Sequence, residues 1–205
     1  MSALKQSLRL APIDAKQGAR FLEDRHPLGG GLSAPIAIGV FWLGRLEGVI
    51  TFGRPVVNNA VQRYALRASD VLELRKMWVS DVPPRNTESR ALAVAVRLVA
   101  RQYPVTQMLL TYCDSEEQAA AYKAVGWIPQ EAYRYLRNVK VGGRWVSLRE
   151  VNRRGGLKRL GAEYETEYVS RRKWVYPLTP ALREQVRPVD TTPVAVSGAT
   201  DADAP

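Results

Sequence analysis

The sequence predicts a mixed α/β domain, and three features of the chain indicate it. Residues 72–127 read as strand, helix, strand and helix, the order that gives parallel strands joined by a crossover helix. The apolar run at 36–53, interrupted at residues 44–45, predicts a hairpin. With 205 residues and 46% hydrophobic content, the chain suffices for one globular domain, or for one domain with an appendage.

The individual elements follow from apolar periodicity and from the residues that end each run. Asp14 is a predicted helix N-cap, and His26-Pro27 stops that helix. Asn86 or Thr87 caps the central helix, which ends before Pro104. In chain order, the predicted elements are an edge strand at 4–10, a helix at 14–25, strands at 36–43 and 46–52, a strand at 72–81, a helix to residue 102, a strand at 108–114, a helix at 118–127, and a hairpin of 133–141 with 144–148.

The charge of the chain bears on its partners rather than on its fold. Thirty Lys and Arg residues against twenty Asp and Glu residues give a formal charge of +10. Twelve of the basic residues fall within 134–173, interleaved with tyrosine and tryptophan, which suits phosphate contacts and base stacking. A hairpin with core aromatics and solvated charges is the alternative. The nucleic-acid-binding candidates are Arg137, Lys140, Arg144, Arg153, Arg154, Lys158, Arg159, Arg172 and Lys173, together with His26 at the end of the first helix.

Composition also excludes several classes of protein. The single cysteine, Cys113, allows no internal disulfide, and its place in an apolar strand predicts a small buried hydrophobe. The single histidine allows no histidine-cluster metal site, so we predict no bound metal. No apolar run approaches the roughly 20 residues of a membrane span, and no signal peptide is apparent. We therefore expect a soluble cytoplasmic protein without a membrane partner.

The C-terminal end differs in composition from the rest of the chain. From Pro188 onward it is rich in proline and alanine and mildly acidic, which is typical of disordered segments. We predict a domain over 1–178, with 134–178 as its basic C-terminal part. A tail over 179–205 follows, and we expect it to be disordered from about residue 188.

The opening of the central helix is the first candidate for a ligand site. The first backbone N–H groups of a helix have no intrahelical partner and its dipole end is positive, so this end attracts anions. Asn86–Ser89 would present such groups to a phosphate, with Arg85 and Arg90 supplying positive charge on either side. A plain helix cap is the alternative, although it leaves the two arginines without a role.

The order of the elements resembles the acyltransferase fold of the GNAT superfamily. The resemblance implies a mixed central sheet, flanked by helices and split between the fourth and fifth strands, with acyl-CoA in the split. It also implies that the pyrophosphate rests on the helix after the fourth strand. The usual phosphate loop, Gln/Arg-x-x-Gly-x-Gly/Ala, is absent, and residues 83–90 (PPRNTESR) stand in its place.

This departure is accompanied by a narrower likeness. The string V-x-D-x-x-P-R-N-T-E-S-R at 79–90 resembles the Mom family of bacteriophage DNA-modification proteins, as do 112–114, 122–127 and 172–178. The resemblance covers roughly residues 26–178. It implies an enzyme that converts adenine in phage DNA to a methylcarbamoyl derivative, which protects the DNA from host restriction enzymes.

The resemblance also implies the ligands and the location. The donor would be an acyl-CoA, either acetyl-CoA or a related one. The partner would be double-stranded DNA with the target base flipped out, in the cytoplasm of the infected bacterial host. The residues that the resemblance implies as holding the donor are Val79, Arg85, Asn86, Thr87, Glu88, Ser89 and Arg90.

Acyl transfer to an exocyclic amine requires a held donor, a group that takes the amine proton and a group that serves the leaving thiolate. Asp114 follows the end of a strand, where ligands of such sheets gather, so it is the first candidate for the base or for orienting it. Capping of the next helix is its alternative. By the resemblance, Tyr122 protonates the thiolate, with packing against Trp127 as its alternative. Ser89 is placed to reach the reacting group, and Asp81 either joins the site or fixes the turn before the loop.

Two other functions compete with a DNA-modifying transferase. One is a non-catalytic DNA-binding protein on a GNAT-like shell, which the missing glycine-rich loop leaves open. The other is a GNAT N-acyltransferase that acts on a protein or small-molecule amine, which the basic region 134–173 disfavours.

Overall fold

The computed structural model describes residues 7–26, 34–56, 58–114, 116–141, 143–153, 155–157 and 164–189, without the side chains of 58–60, 116–118, 135, 149 and 153. The strands are β1 (Leu8–Ile13), β2 (Ile36–Trp42), β3 (Arg45–Gly53), β4 (Val71–Val79), β5 (Met108–Cys113), β6 (Ile128–Val141), β7 (Arg144–Ser147) and β8 (Glu165–Pro177). The helices are α1 (Ala15–Glu23), α2 (Thr87–Gln102), α3 (Glu116–Val125), α4 (Leu148–Arg153) and α5 (Pro180–Gln185), with 3-10 turns at Asn58–Tyr64 and Ala68–Asp70. The strands form one sheet in the order β1-β2-β3-β4-β5-β8-β6-β7.

The predicted mixed sheet, split between its fourth and fifth strands, is confirmed. β4 and β5 are parallel neighbours, but their ladder joins only residues 71–73 to residues 108–110. The register of β3 with β4 then skips Arg75, and such a bulge bends and twists a strand. Beyond this point β4 stays paired with β3, while β5 takes β8 as its antiparallel neighbour. The two strands therefore separate toward their carboxyl ends.

The two faces of the sheet are covered differently. α2 and α3 pack on one of them, named here the α2 face, together with Leu74, Leu109 and Trp174. α1 packs against β2 and β3 on the opposite face, named the α1 face, where Gly18 allows a close approach. Because side chains alternate along a strand, Leu110 points to the α1 face, into a second and smaller apolar cluster.

The C-terminal third departs from the sequence prediction. β8 was not predicted as a strand, yet it lies between β5 and β6 and pairs with both. β6 begins at Ile128 rather than at residue 133, and its hairpin with β7 pairs only 138–141 with 144–147. Residues 132–140 pair with 165–172, and this part of the sheet, named here the β6–β8 ribbon, extends beyond the end of β5. Most of its side chains are exposed or half-buried, so the apolar alternation that marks a strand is missing.

The described chain continues to pack beyond residue 178. The short helix α5, like α4, was not predicted, and its Leu182 is buried. The Gln130 side-chain amide donates to the Arg187 carbonyl at 3.0 Å, and the Val189 N–H donates to the Pro129 carbonyl at 3.0 Å. The rest of the predicted tail, from residue 190 on, lies outside the described residues. No helix within the described ranges is long and apolar enough to cross a membrane.

Candidate active site

A cavity of about 440 Å³ lies where β4 ends and α2 begins. Its walls are the turn after β4, the first turn of α2 and three alanines of α3. The lining residues are Val79, Ser80, Asp81, Pro83, Pro84, Arg85, Asn86, Thr87, Glu88, Ser89, Ala120, Ala121 and Ala124. This volume is within the range of small-molecule and cofactor sites. All the predicted donor-binding residues except Arg90 line the cavity, and so does Asp81.

α2 begins without a side-chain cap. Asn86, its N-cap residue, adopts a left-handed backbone with φ 67°, and its side chain makes no capping hydrogen bond, although Asn is among the best capping residues. Thr87 donates its hydroxyl hydrogen to the Pro84 carbonyl at 2.6 Å, and Ser89 donates to the Asn86 carbonyl at 3.1 Å. Within the described chain, the amides of Glu88 and Ser89 donate to no backbone carbonyl. These two N–H groups at the positive end of the helix favour an anion.

The turn that forms the cavity wall after β4 is held against β3. Ser80 donates its backbone N–H to the Glu47 carbonyl at 2.8 Å and its hydroxyl to a Glu47 carboxylate oxygen at 2.7 Å. Glu47 is the residue that the register of β2 with β3 skips, so a bulge presents it to this turn. Opposite this turn, Ala120, Ala121 and Ala124 keep the cavity open because their side chains are small.

The cavity has charges of both signs. Loss of solvation, with the negative charge of Asp81 adding to it, raises the pKa of Glu88. Two carboxylates at this position oppose a phosphate. Arg85, exposed at the rim, supplies a compensating positive charge.

Tyr122 lies where β4 and β5 separate, on the α2 face. Its ring is 7% exposed and packs on Trp127 and Trp174, at centroid distances of 5.6 and 6.2 Å. Its hydroxyl is hydrogen-bonded with Thr111, which in turn donates its hydroxyl hydrogen to the Leu74 carbonyl across the gap at 3.0 Å. Burial raises the pKa of Tyr122 to about 12. The packing on Trp127 is thus present, and the hydroxyl lies at the base of the split.

Asp114 lies at the carboxyl end of β5 but outside the cavity. Its two carboxylate oxygens accept hydrogen bonds from Nε and Nη2 of Arg171 at 2.6 and 2.9 Å. Both side chains are 22% exposed. This bidentate pair joins β5 to β8 and fixes the guanidinium of Arg171 beside the split.

The α1 face of β4 carries charged residues that the sequence analysis did not single out. Glu73 and Lys76 are 8% and 4% exposed, and one Glu73 carboxylate oxygen accepts the Val56 N–H at 2.8 Å. Burial raises the pKa of Glu73, while hydrogen bonding and the nearby Arg75 and Arg171 oppose the rise. Charged residues inside an otherwise apolar strand were the sequence feature that would have identified them.

His26 lies on the same face, beside Lys76. Burial, and then the positive charge of Lys76, lower the pKa of His26 to about 4. The imidazole is therefore neutral at pH 7. His26 follows the end of α1 and donates its backbone N–H to the Leu22 carbonyl at 3.0 Å. Phe21 of that helix contacts Trp78 of β4 edge to face.

The predicted DNA-contact residues fall into three groups. Arg137 and Arg144 are exposed on β6 and β7, and Arg172 is half-buried on β8. Lys140 pairs with Glu165 at 2.9 Å, and the Lys173 ammonium lies 5.3 Å from the centre of the Tyr64 ring. For Arg153 only the backbone is described, and three further candidates lie outside the described residues, namely Arg154, Lys158 and Arg159.

The split sheet and the helix end beside it define this chain as a GNAT-fold protein. A GNAT family acetyltransferase from Elizabethkingia anophelis, solved with acetyl-CoA bound, is 11% identical with a TM-score of 0.50, over 84% of this chain and 99% of that one. The polyamine N-acetyltransferase of Drosophila melanogaster is 13% identical with a TM-score of 0.55, over 83% and 100% of the two chains. At such identities the likeness shows the fold alone.

The sequence identifies the family within this fold. Residues 7–192 match the Mom protein family, and the chain belongs to that family. A relative, the methylcarbamoylase Mom of Escherichia phage Mu, is 33% identical over 79 residues. These residues are 38% of this chain and 33% of the relative, so the match spans about a third of the relative's length.

Proposed function

We propose that this protein is a DNA-modifying transferase. It moves an acyl-type group from an acyl-CoA to the exocyclic N6 amine of adenine in double-stranded DNA, and this protects phage DNA from host restriction enzymes. The observation that carries the proposal is the N-terminal end of α2. It has no side-chain cap and opens into a cavity beside the split of a GNAT-type sheet. Membership of the Mom family and the name of the phage Mu relative, a methylcarbamoylase, support base modification.

The cavity accounts for donor binding. The N–H groups of Glu88 and Ser89 receive a pyrophosphate oxygen, and Arg85 offsets the carboxylates of Asp81 and Glu88. Asn86 replaces the glycine that usually turns the chain at such a loop, since Asn tolerates the left-handed backbone better than most residues. The small side chains of α3 leave room for the arm that carries the thioester toward the base of the split.

The reaction proceeds by attack of the amine nitrogen on the thioester carbonyl carbon. A C–N bond forms, the C–S bond breaks, the amine proton passes to a carboxylate, and the thiolate leaves. Tyr122 serves the thiolate as a hydrogen-bond donor rather than as a full proton source, because its pKa of about 12 lies above the roughly 8.5 of an ordinary thiol. The carboxylates at the split, Asp81, Asp114 and Glu73, are the candidates for the proton acceptor.

The basic residues of the β6–β8 ribbon account for DNA binding. Arg134 and Arg137 are exposed there. Such residues suit phosphate contacts. A base inside a duplex does not reach the split, so the adenine is flipped out at a cost of a few kcal/mol.

A non-catalytic DNA-binding protein is the second candidate function, and one observation favours it. Asp81 and Glu88 place negative charge at the N-terminal end of α2, where an acyl-CoA enzyme needs to bind phosphate. On this reading the cavity would stay without coenzyme A. Calorimetric titration of the protein with coenzyme A separates the two functions, because only the transferase binds it.

The test of the proposed function uses acetyl-CoA labelled in its acyl group. The purified protein is incubated with duplex DNA and the labelled donor, and the digested DNA is examined by mass spectrometry. The expected result is a labelled adenine-derived nucleoside. Coenzyme A binding with no labelled nucleoside would mean that acetyl-CoA is not the donor, and absence of coenzyme A binding would contradict the proposed donor site.

A matched pair of variants at Ser89 sharpens this test. Ser89→Asp adds a negative charge where the phosphate is expected, so coenzyme A affinity should fall about tenfold or more. An acidic residue in the first turn stabilises a helix, so this loss cannot be attributed to unfolding. Ser89→Asn, which is of similar size and neutral, should retain most of the affinity.

A further inference from the structure

The two faces of the sheet converge at the base of the split. Glu73 is the last β4 residue in the parallel ladder and lies on the α1 face. The next residue, Leu74, accepts the Thr111 hydrogen bond on the α2 face, where the Tyr122 hydroxyl also lies. The α1 face is therefore the side of the split opposite a donor held on the α2 face, and we expect the acceptor there.

An aromatic pair stands on the α1 face beside this point. Tyr112 of β5 and Tyr133 of β6 meet edge to face, with centroids 6.2 Å apart and planes at 85°. Tyr133 is 44% exposed, whereas Tyr112 is half-buried. Tyr133 is cross-strand to Arg171, so the guanidinium fixed by Asp114 lies next to this ring. An exposed aromatic ring braced by a second ring is a stacking surface for a flat ligand.

A polar edge adjoins the rings. One Glu73 carboxylate oxygen accepts the Val56 N–H at 2.8 Å. The other forms an ion pair with Nε of Arg75 at 3.8 Å, a distance too long for a hydrogen bond. In the described part of the chain, that Nε is buried without a hydrogen-bond partner. Glu73 is the ladder partner of Leu110, and Tyr112 lies two residues farther along β5 on the same face, which places the carboxylate close to the aromatic pair.

We propose that this part of the α1 face is the nucleobase subsite, in which Tyr133 stacks on the flipped purine and Glu73 accepts a hydrogen bond from its exocyclic amine. The inference rests on the proposed function, because it names the acceptor side of the same reaction. Asp114 is then a positioning residue that acts through Arg171. Tyr112 holds the ring of Tyr133 in place by its edge-to-face contact.

The ribbon offers a matched control for Tyr133. Tyr168 of β8 is exposed to the same degree, 43% against 44%, but its ring lies under Arg134, the next residue after Tyr133. Neighbouring residues of a strand point to opposite faces, so Tyr168 lies on the face opposite Tyr133. Both tyrosines are exposed, and their replacement should leave the fold intact.

The first experiment measures modified nucleoside in DNA from cells that express each variant. Tyr133→Ala should lower the yield about 5- to 150-fold, the range that follows from losing one stacked base. Tyr133→Phe keeps the ring and should stay near wild type, as should Tyr168→Ala. Glu73→Gln should lower the yield by about tenfold or more. An undiminished yield in Tyr133→Ala would overturn the subsite while leaving the proposed function intact.

The second experiment does not depend on activity. A pool of duplexes of random sequence carrying 8-azidoadenine is irradiated with the wild-type protein, and the labelled tryptic peptides are sequenced. The subsite predicts label in peptide 124–134, which contains Tyr133. Label confined to peptide 160–171, which contains Tyr168, would overturn it. Label in 124–134 without any modified nucleoside would support the subsite and contradict the transfer reaction.

Discussion

Replacement of Tyr122 by phenylalanine separates a role in the reaction from a role in packing. The ring of Tyr122 stays between Trp127 and Trp174, since phenylalanine has the same shape. The loss is one hydroxyl and its hydrogen bond with Thr111, which keeps its own bond to the Leu74 carbonyl. The free energy of unfolding should therefore fall by only about 1 kcal/mol.

The effect on the reaction should be much larger. Removing one preorganised donor from a developing negative charge costs about 10²–10³-fold in rate, so the yield of modified nucleoside should fall by that factor. Urea unfolding and nucleoside mass spectrometry on the same variant measure the two effects. Tyr176→Phe is the matched control, because this ring also contacts Trp127, at a centroid distance of 5.8 Å, and has no assigned role in the reaction. Wild-type yield in Tyr122→Phe would show that Tyr122 only packs.

Three further changes have defined outcomes. Because Asn86 adopts φ 67° without a capping bond, Asn86→Gly should leave stability in urea unfolding unchanged or raise it. The same change should weaken coenzyme A binding in a titration if the carboxamide contacts the donor. Because the pKa of His26 is lowered, the free energy of unfolding should fall as pH drops from 6.5 toward 4, by less than about 3 kcal/mol since the side chain is partly exposed. His26→Gln should not show this pH-dependent loss of stability. Neutralising Arg137 and Arg144 should flatten the log–log salt dependence of DNA binding by about 0.9 per lost phosphate contact, whereas neutralising Arg97, exposed on α2, should not change it.

The donor side of the site was predictable from the sequence because its parts are local. The end of β4, the loop and the first turn of α2 lie within residues 79–90, and residues 120–124 follow the next strand directly. The sequence rules for helix starts predicted that α2 begins at Asn86 or Thr87, and Asn86 is its N-cap. The left-handed backbone of Asn86 was not predictable, because Asn at that position equally suggests an ordinary cap.

The acceptor side was not predictable because it joins residues that are distant in the chain. Asp114 meets Arg171, 57 positions later, and Tyr112 meets Tyr133, only because β8 lies between β5 and β6. β8 itself lacks apolar alternation, since its first half belongs to the β6–β8 ribbon. Glu73 had a sequence signal, as a charged residue inside an apolar strand, but a strand pattern does not reveal which face meets a ligand.

Mass spectrometry of nucleosides from the DNA of bacteria that express this protein is the most direct test of its proposed function. The cells supply the donor, so the measurement does not depend on which acyl-CoA is used. We expect a new adenine-derived nucleoside in the wild-type sample, absent from cells with an empty vector and strongly reduced with Tyr122→Phe. Unmodified DNA from cells that contain folded, DNA-binding protein would contradict it and favour the non-catalytic alternative.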